Sequence, residues 1–200
     1  MPNLRQHMYR VTAVGLYLLD HWCGPQIDRH LITQTLLLHD MANIIKFDLK
    51  GQPRWQKVQQ DFIGRYGTDE YAATAKIAAE LNLPARVIYL INHRNSPNLK
   101  QVVASYDWEL KLASYADFRV APHGVVSVTA RFDDMKQRYQ GKTHIIAQKG
   151  FITIAKNYCL KLESQLQPLI SIPLDSITDQ TIAPYLKSLP SYRLTPEFTC

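Results

Sequence analysis

The 200-residue chain is long enough for one domain with a sizeable core, against a norm of roughly 100–200 residues per domain. Its hydrophobic content of 46% and charged content of 20% exclude long disorder. A formal charge of +6 and a pI of about 9.2 favour an anionic partner. The cations are scattered, without a run of five or six Lys/Arg, which argues against nucleic acid and for a small phosphorylated substrate.

In chain order, Leu4, Met8, Val11, Val14, Leu18 and Leu19 fall three or four apart and predict a first amphipathic helix flanked by His7 and Arg10. Gly24 and Pro25 then break the chain. Asp28 is a cap for "RHLITQTLLLHDMANII", whose nearly continuous apolar content predicts a central, buried helix. "RWQKVQQDFIGRYG" predicts a short helix ending at Gly67, and Thr68 and Asp69 open an Ala-rich one. Pro84 starts another that reaches about His93, and "NSPN" is a loop. Leu99 to about Val120 reads as one helix, stopped by Pro122 and Gly124. Ser127 caps a helix through Tyr139, and a long helix follows from about Thr143 to Leu166.

The final stretch carries five of the eleven prolines and one good short helix, around Thr178 to Leu189. The organisation expected is therefore all-α, with a domain over residues 1–170 and a tail over 171–200 that packs on the domain or on a partner. Cys23, Cys159 and Cys200 are odd in number and far apart. They form neither a disulfide framework nor a metal knuckle, and they fit a reducing, cytoplasmic setting. No leader pattern opens the sequence, and no stretch approaches the roughly 18–20 apolar residues of a membrane span.

Chemistry concentrates at His39 and Asp40. They follow Leu36, Leu37 and Leu38 in the most apolar segment, where an unpaired carboxylate would cost several kcal/mol. A divalent ion meets that need, with one nitrogen and one oxygen ligand supplied side by side. Neighbouring helical residues point about 100° apart, so other helices must complete the set. His7 on the first helix and Asp117 near the end of "WELKLASYADFRVAP" are the candidates.

The order His7, His39-Asp40 and Asp117 resembles the H…HD…D pattern of the HD-domain superfamily of metal-dependent phosphohydrolases. "HMYRV" is similar to that family's H-x-x-R-V opening, "LLLHDMANIIKFD" to its L-L-H-D-[IM]-G-K run, and "SYADFRV" to its A-D segment; together they cover about residues 4 to 122. The resemblance implies a helical bundle in which His7, His39, Asp40 and Asp117 hold one or two divalent ions. It also implies hydrolysis of a phosphomonoester or phosphodiester, often of a nucleotide, by attack of metal-bound hydroxide. Asp40 is then the catalytic candidate, since its second oxygen can orient that hydroxide.

Two departures stand out. Ala42 and Asn43 replace the family's usual Gly and Lys, so Lys46 either stands in for the missing cation or is a solvated helix end. His93 is the single well-placed extra histidine, contacting phosphate or a second ion or else capping its helix, and one ion is favoured over two. Mn²⁺, Fe²⁺, Co²⁺, Ni²⁺, Mg²⁺ and Zn²⁺ all suit the mixed donor set. Arg10 binds substrate phosphate or pairs with an acid across the bundle, and Arg119 is a further substrate-binding candidate. Tyr115 and Phe118 read as core. The competing functional readings are a non-catalytic HD module that binds a nucleotide or protein, and a basic nucleic-acid binder with an incidental His-Asp pair. A homodimer is compatible with all of them.

Overall fold

The structure is a computed structural model, and it describes residues 2–140, 148 and 150–193. Among these, ten α-helices and one two-stranded hairpin make an all-α bundle. No described helix is long and apolar enough to cross a membrane.

Helix α1 (Pro2–Asp20) lies at the centre, packed against α2 (Arg29–Leu38), α7 (Trp108–Phe118) and α10 (Asp179–Ser188). Its approach to α2 depends on Gly15, where an added Cβ would collide with Leu36 Cδ1. That contact brings together the helix carrying His7 and the helix that ends at His39. The Asp28 carboxylate caps α2 by accepting from the His30 and Leu31 amides. Asp69 does the same for α4 (Glu70–Glu80) and Ser127 for α8 (Val128–Tyr139). α3 (Pro53–Tyr66) ends at Gly67, whose φ of 91° lies in the region that favours glycine.

Three expected boundaries move. The segment from Arg29 onward is not one helix through Ile45: α2 stops at Leu38, and His39 is its C-cap. Beyond it the amides reach back three residues, Met41 to Leu38, Asn43 to Asp40 and Ile45 to Ala42, so the chain tightens into turns and a short 3₁₀ helix over Asn43–Lys46. Leu99 to Val120 is two helices, α6 (Leu99–Ala104) and α7. They separate because Ser105 is extended and Asp107 caps a new start by accepting from the Leu110 amide. Of the helix expected from about Thr143, Phe151–Leu166 is α9, preceded by Gly150 at φ 83°, while residues 141–147 and 149 lie outside the described residues.

After α7, Val120–Ala121 and Gly124–Val125 form a small antiparallel hairpin, β1 and β2. The chain beyond α9 packs into the same hydrophobic core as α1, through Ile170, Leu174, Ile177, Ile182 and Leu189. Thr178 opens α10 with a reciprocal cap to Thr181. Cys23 and Cys159 are free thiols.

Candidate metal centre

Helix α5 (Ala85–His93) packs against α2 and α7, and α1 packs against both of those, so four elements meet at one point. His7 comes from α1, His39 and Asp40 from the turn after α2, and Asp117 from the last turn of α7. His7 Nε2 lies 3.2 Å from Asp117 Oδ1 and 3.6 Å from Asp40 Oδ2. His39 Nε2 lies 3.5 Å from Asp40 Oδ2 and 3.6 Å from Asp117 Oδ1. Adjacent ligands about 2.1 Å from a shared ion sit about 3.0–3.4 Å apart, so these spacings suit one coordination sphere. His7, His39 and Asp117 form the tight triad, each offering an atom within 4.8 Å of the others. Asp40 stands beside that triad, touching both imidazoles through the single oxygen Oδ2.

α2 stops at Leu38 with His39 as its C-cap, and the turn that follows carries His39 and Asp40, whose Nε2 and Oδ2 lie 3.5 Å apart. The turn also fixes the His39 tautomer. Its Nδ1 is 2.7 Å from the Leu36 carbonyl, which can only accept, so Nδ1 carries the proton. Nε2 is buried without a hydrogen-bond partner and faces two carboxylate oxygens, an arrangement that either a ring proton or a metal cation between them would satisfy. A cation at that point is what the donor set lacks, so the residues fit a divalent ion.

Both carboxylates are held ionised. Burial pushes the Asp40 carboxyl up, but His39, Arg94 and His7 outweigh this and the repulsion from Asp117, leaving it below its ordinary value. Burial also opposes ionisation of Asp117, yet Arg94 and the two histidines hold it well below the usual carboxylate range.

Arg94, the C-cap of α5, is the residue that sequence reasoning missed. It is 4% exposed, and donates from Nη1 to Asp117 Oδ2 at 2.6 Å and from Nη2 to Asp40 Oδ1 and the His39 carbonyl, both at 3.2 Å. Its signal was present in the sequence. Val87, Leu90 and Ile91 form the buried face of α5, and Arg94 falls seven, four and three residues after them. Arg131 on α8 was also missed. Burial depresses its pKa, while the charges of Asp117, Asp134 and Asp40 act in the opposite direction, which places this guanidinium in the field of the site.

The four expected substrate-binding residues do not join the cluster. His93, next to Arg94, is exposed; its ring stacks on Tyr89 and its Nδ1 lies 2.7 Å from the Tyr89 carbonyl, so it caps its own helix. Arg10 pairs through Nε with Asp179 of α10 at 3.4 Å, the cross-bundle alternative. Lys46 is exposed in the last turn of the 3₁₀ helix, as the helix-end alternative expects, and it pairs there with Glu70 rather than standing in at the cluster. Partial burial lowers its pKa, but the Glu70 carboxylate at 2.7 Å, with Tyr71 and Asp40, raises it overall. Arg119 corrects the expectation most sharply. It is buried at 2% exposure and donates to the Val126, Leu174 and Ile177 carbonyls and to the Tyr115 hydroxyl. A guanidinium so committed ties the C-terminal segment to α7 and β2 and has little left for a substrate.

Ala42 is fully buried beside the turn, so the departure from glycine is accommodated in the packing. Tyr115 is core, its hydroxyl donating to Glu163 at 2.6 Å. Compared with family models, curated proteins and solved structures, the chain matches none.

Proposed function

We propose that the chain is a metal-dependent phosphohydrolase of the HD kind, acting on a small phosphorylated substrate such as a nucleotide. The observation that carries this reading is the buried, partnerless His39 Nε2, set among His7 and the inner oxygens of two ionised carboxylates. His7, His39 and Asp117 would hold the ion, with Asp40 as the fourth donor. A divalent ion bound there supplies Lewis acidity toward water and a phosphoryl oxygen.

The chain's own residues do the remaining work. The Leu36 carbonyl keeps the His39 lone pair aimed inward. Arg94 fixes both carboxylates and keeps them charged. Asp40 turns Oδ2 to the imidazoles while Oδ1 accepts from Arg94, so it would orient the attacking water only through the remaining lone pair of an oxygen shared with the guanidinium. Arg131 and Lys46 lie near the site but are each paired with an acid, Asp134 and Glu70, so the charge left for an incoming phosphate comes from the bound ion.

One observation favours a second reading. Arg94 itself bonds both carboxylates, as a purely structural ion network would require. In that case the chain is a non-catalytic module. The two readings part on metal analysis of the purified protein followed by a hydrolysis screen over p-nitrophenyl phosphate and nucleotides. Stoichiometric metal and turnover are expected, and Asp40→Ala should lose both, with activity down at least about 100-fold and helical circular dichroism retained. A protein that recruits no divalent ion, or an Asp40→Ala variant with unchanged metal loading, sinks the phosphohydrolase reading.

A further inference from the structure

Asp40 and Asp117 offer four carboxylate oxygens, and the protein divides them evenly. Asp40 Oδ2 and Asp117 Oδ1 face the histidine Nε2 atoms at 3.2–3.6 Å. Asp40 Oδ1 and Asp117 Oδ2 are taken by Arg94, at 3.2 and 2.6 Å. In a two-ion centre, bridging carboxylates lend one oxygen to each ion, and the ions sit about 3.5–4 Å apart. Here a guanidinium stands on the side where the second ion would collect its oxygens.

Arg94 is poorly placed to step aside. Its side chain is 5% exposed, and Nη2 is also bonded to the His39 carbonyl, so the same group that spans the carboxylates grips the backbone of the ligand turn. Two carboxylates and Arg94 sum to one negative charge, and one dication turns that into one positive charge, a balance suited to an incoming phosphate. A second dication would have to enter a centre already positive and displace the guanidinium. The neighbouring imidazole does not supply a substitute ligand, since His93 is turned onto Tyr89.

We propose that Arg94 is a built-in counter-cation that restricts this centre to a single divalent ion, by occupying the carboxylate oxygens a second ion would need. The inference rests on the metal reading of the site. Arg94 acts through Asp40 and Asp117, so it is a positioning residue, and metal stoichiometry is the property it sets.

The test is titration of the full chain with Mn²⁺, reading bound metal per chain and the electron paramagnetic resonance spectrum. The wild type is expected to saturate at one Mn²⁺ with the spectrum of an isolated ion, even in excess metal. Arg94→Gln, checked for folding by circular dichroism, should take up a second Mn²⁺ and show an exchange-coupled pair. Arg94→Lys keeps the charge and should remain at one. A coupled pair in the wild type or in Arg94→Lys overturns the inference, as does a folded Arg94→Gln that still saturates at one. Should Arg94→Gln fail to fold, the wild-type and Arg94→Lys spectra still decide. A wild type that binds no Mn²⁺ removes the metal reading itself and this inference with it, whereas one that binds two removes only the role of Arg94.

Discussion

Arg94 and Arg119 are almost equally buried, at 4% and 2% exposure, and they sit in opposite surroundings. Around Arg119 the acceptors are neutral: three backbone carbonyls and a tyrosine hydroxyl, drawn from β2's end, α7 and the segment before α10. Around Arg94 two of the three acceptors are ionised carboxylates, and both also touch histidines. A cation among carbonyls has its hydrogen-bonding demand met and calls for nothing more. A cation between two acids leaves one unit of negative charge beside two imidazoles, a surplus that invites another cation. Burial of an arginine alone does not mark a site; the charge of its neighbours does.

The comparison can be broken first at Arg119. Arg119→Met strands several buried carbonyls at once and is expected to cost about 3–5 kcal/mol, read as a shift in the urea midpoint, with metal uptake by the folded fraction unchanged. A loss under about 1 kcal/mol would mean that the C-terminal segment does not depend on this clamp. Asp117→Ala comes next. In metal-free protein it leaves Arg94 Nη1 without its 2.6 Å partner, a cost of about 1.5–3 kcal/mol for a charged hydrogen bond. A variant more stable than wild type would show that repulsion between the two carboxylates outweighs what Arg94 returns.

Arg86 gives the smallest effect and sharpens the series. It pairs with Asp107 and Glu109 from a side chain 36% exposed, so Arg86→Ala should cost only about 0.2–1 kcal/mol. Its partner carries a sign that can be checked. Burial raises the Asp107 pKa, but the Arg86 and Leu110 hydrogen bonds overcome it and leave the group below its ordinary 3.8. That stability is present above about pH 3.8 and is lost as pH falls through the lowered folded value. Arg86→Ala should flatten this acid limb, and an unchanged limb would assign it to other carboxylates.

Local rules carried the sequence reading furthest where one residue decides the structure. Asp28, Asp69 and Ser127 were legible as caps because an oxygen one position before a helix has a short list of partners. The end of α2 was hidden because Leu36, Leu37 and Leu38 continue an apolar pattern up to the turn, and nothing at His39 breaks a helix by itself. The break at Ser105–Asp107 was overlooked although Asp107 is a cap of the same kind as Asp28. Short side chains were also easier to place than long ones. His7, His39, Asp40 and Asp117 reach only as far as their backbones, and the bundle brings them together. Arg10, Lys46 and Arg119 end several bonds from theirs, at Asp179, at Glu70 and in the C-terminal carbonyls, and those partners are set by packing that periodicity does not report.

The contact of α10 with α1 has a consequence in time. Every proposed ligand has been synthesised once Asp117 is made, yet Leu174 and Ile177, whose carbonyls receive Arg119, and Ile182 on the helix that covers α1 come dozens of residues later. At about 5–20 residues per second, the ligand helices wait several seconds during translation for the segment that closes over them. During that interval the apolar face of α1 is open, so a chain stalled before α10 is expected to be a better client for chaperones than the finished one.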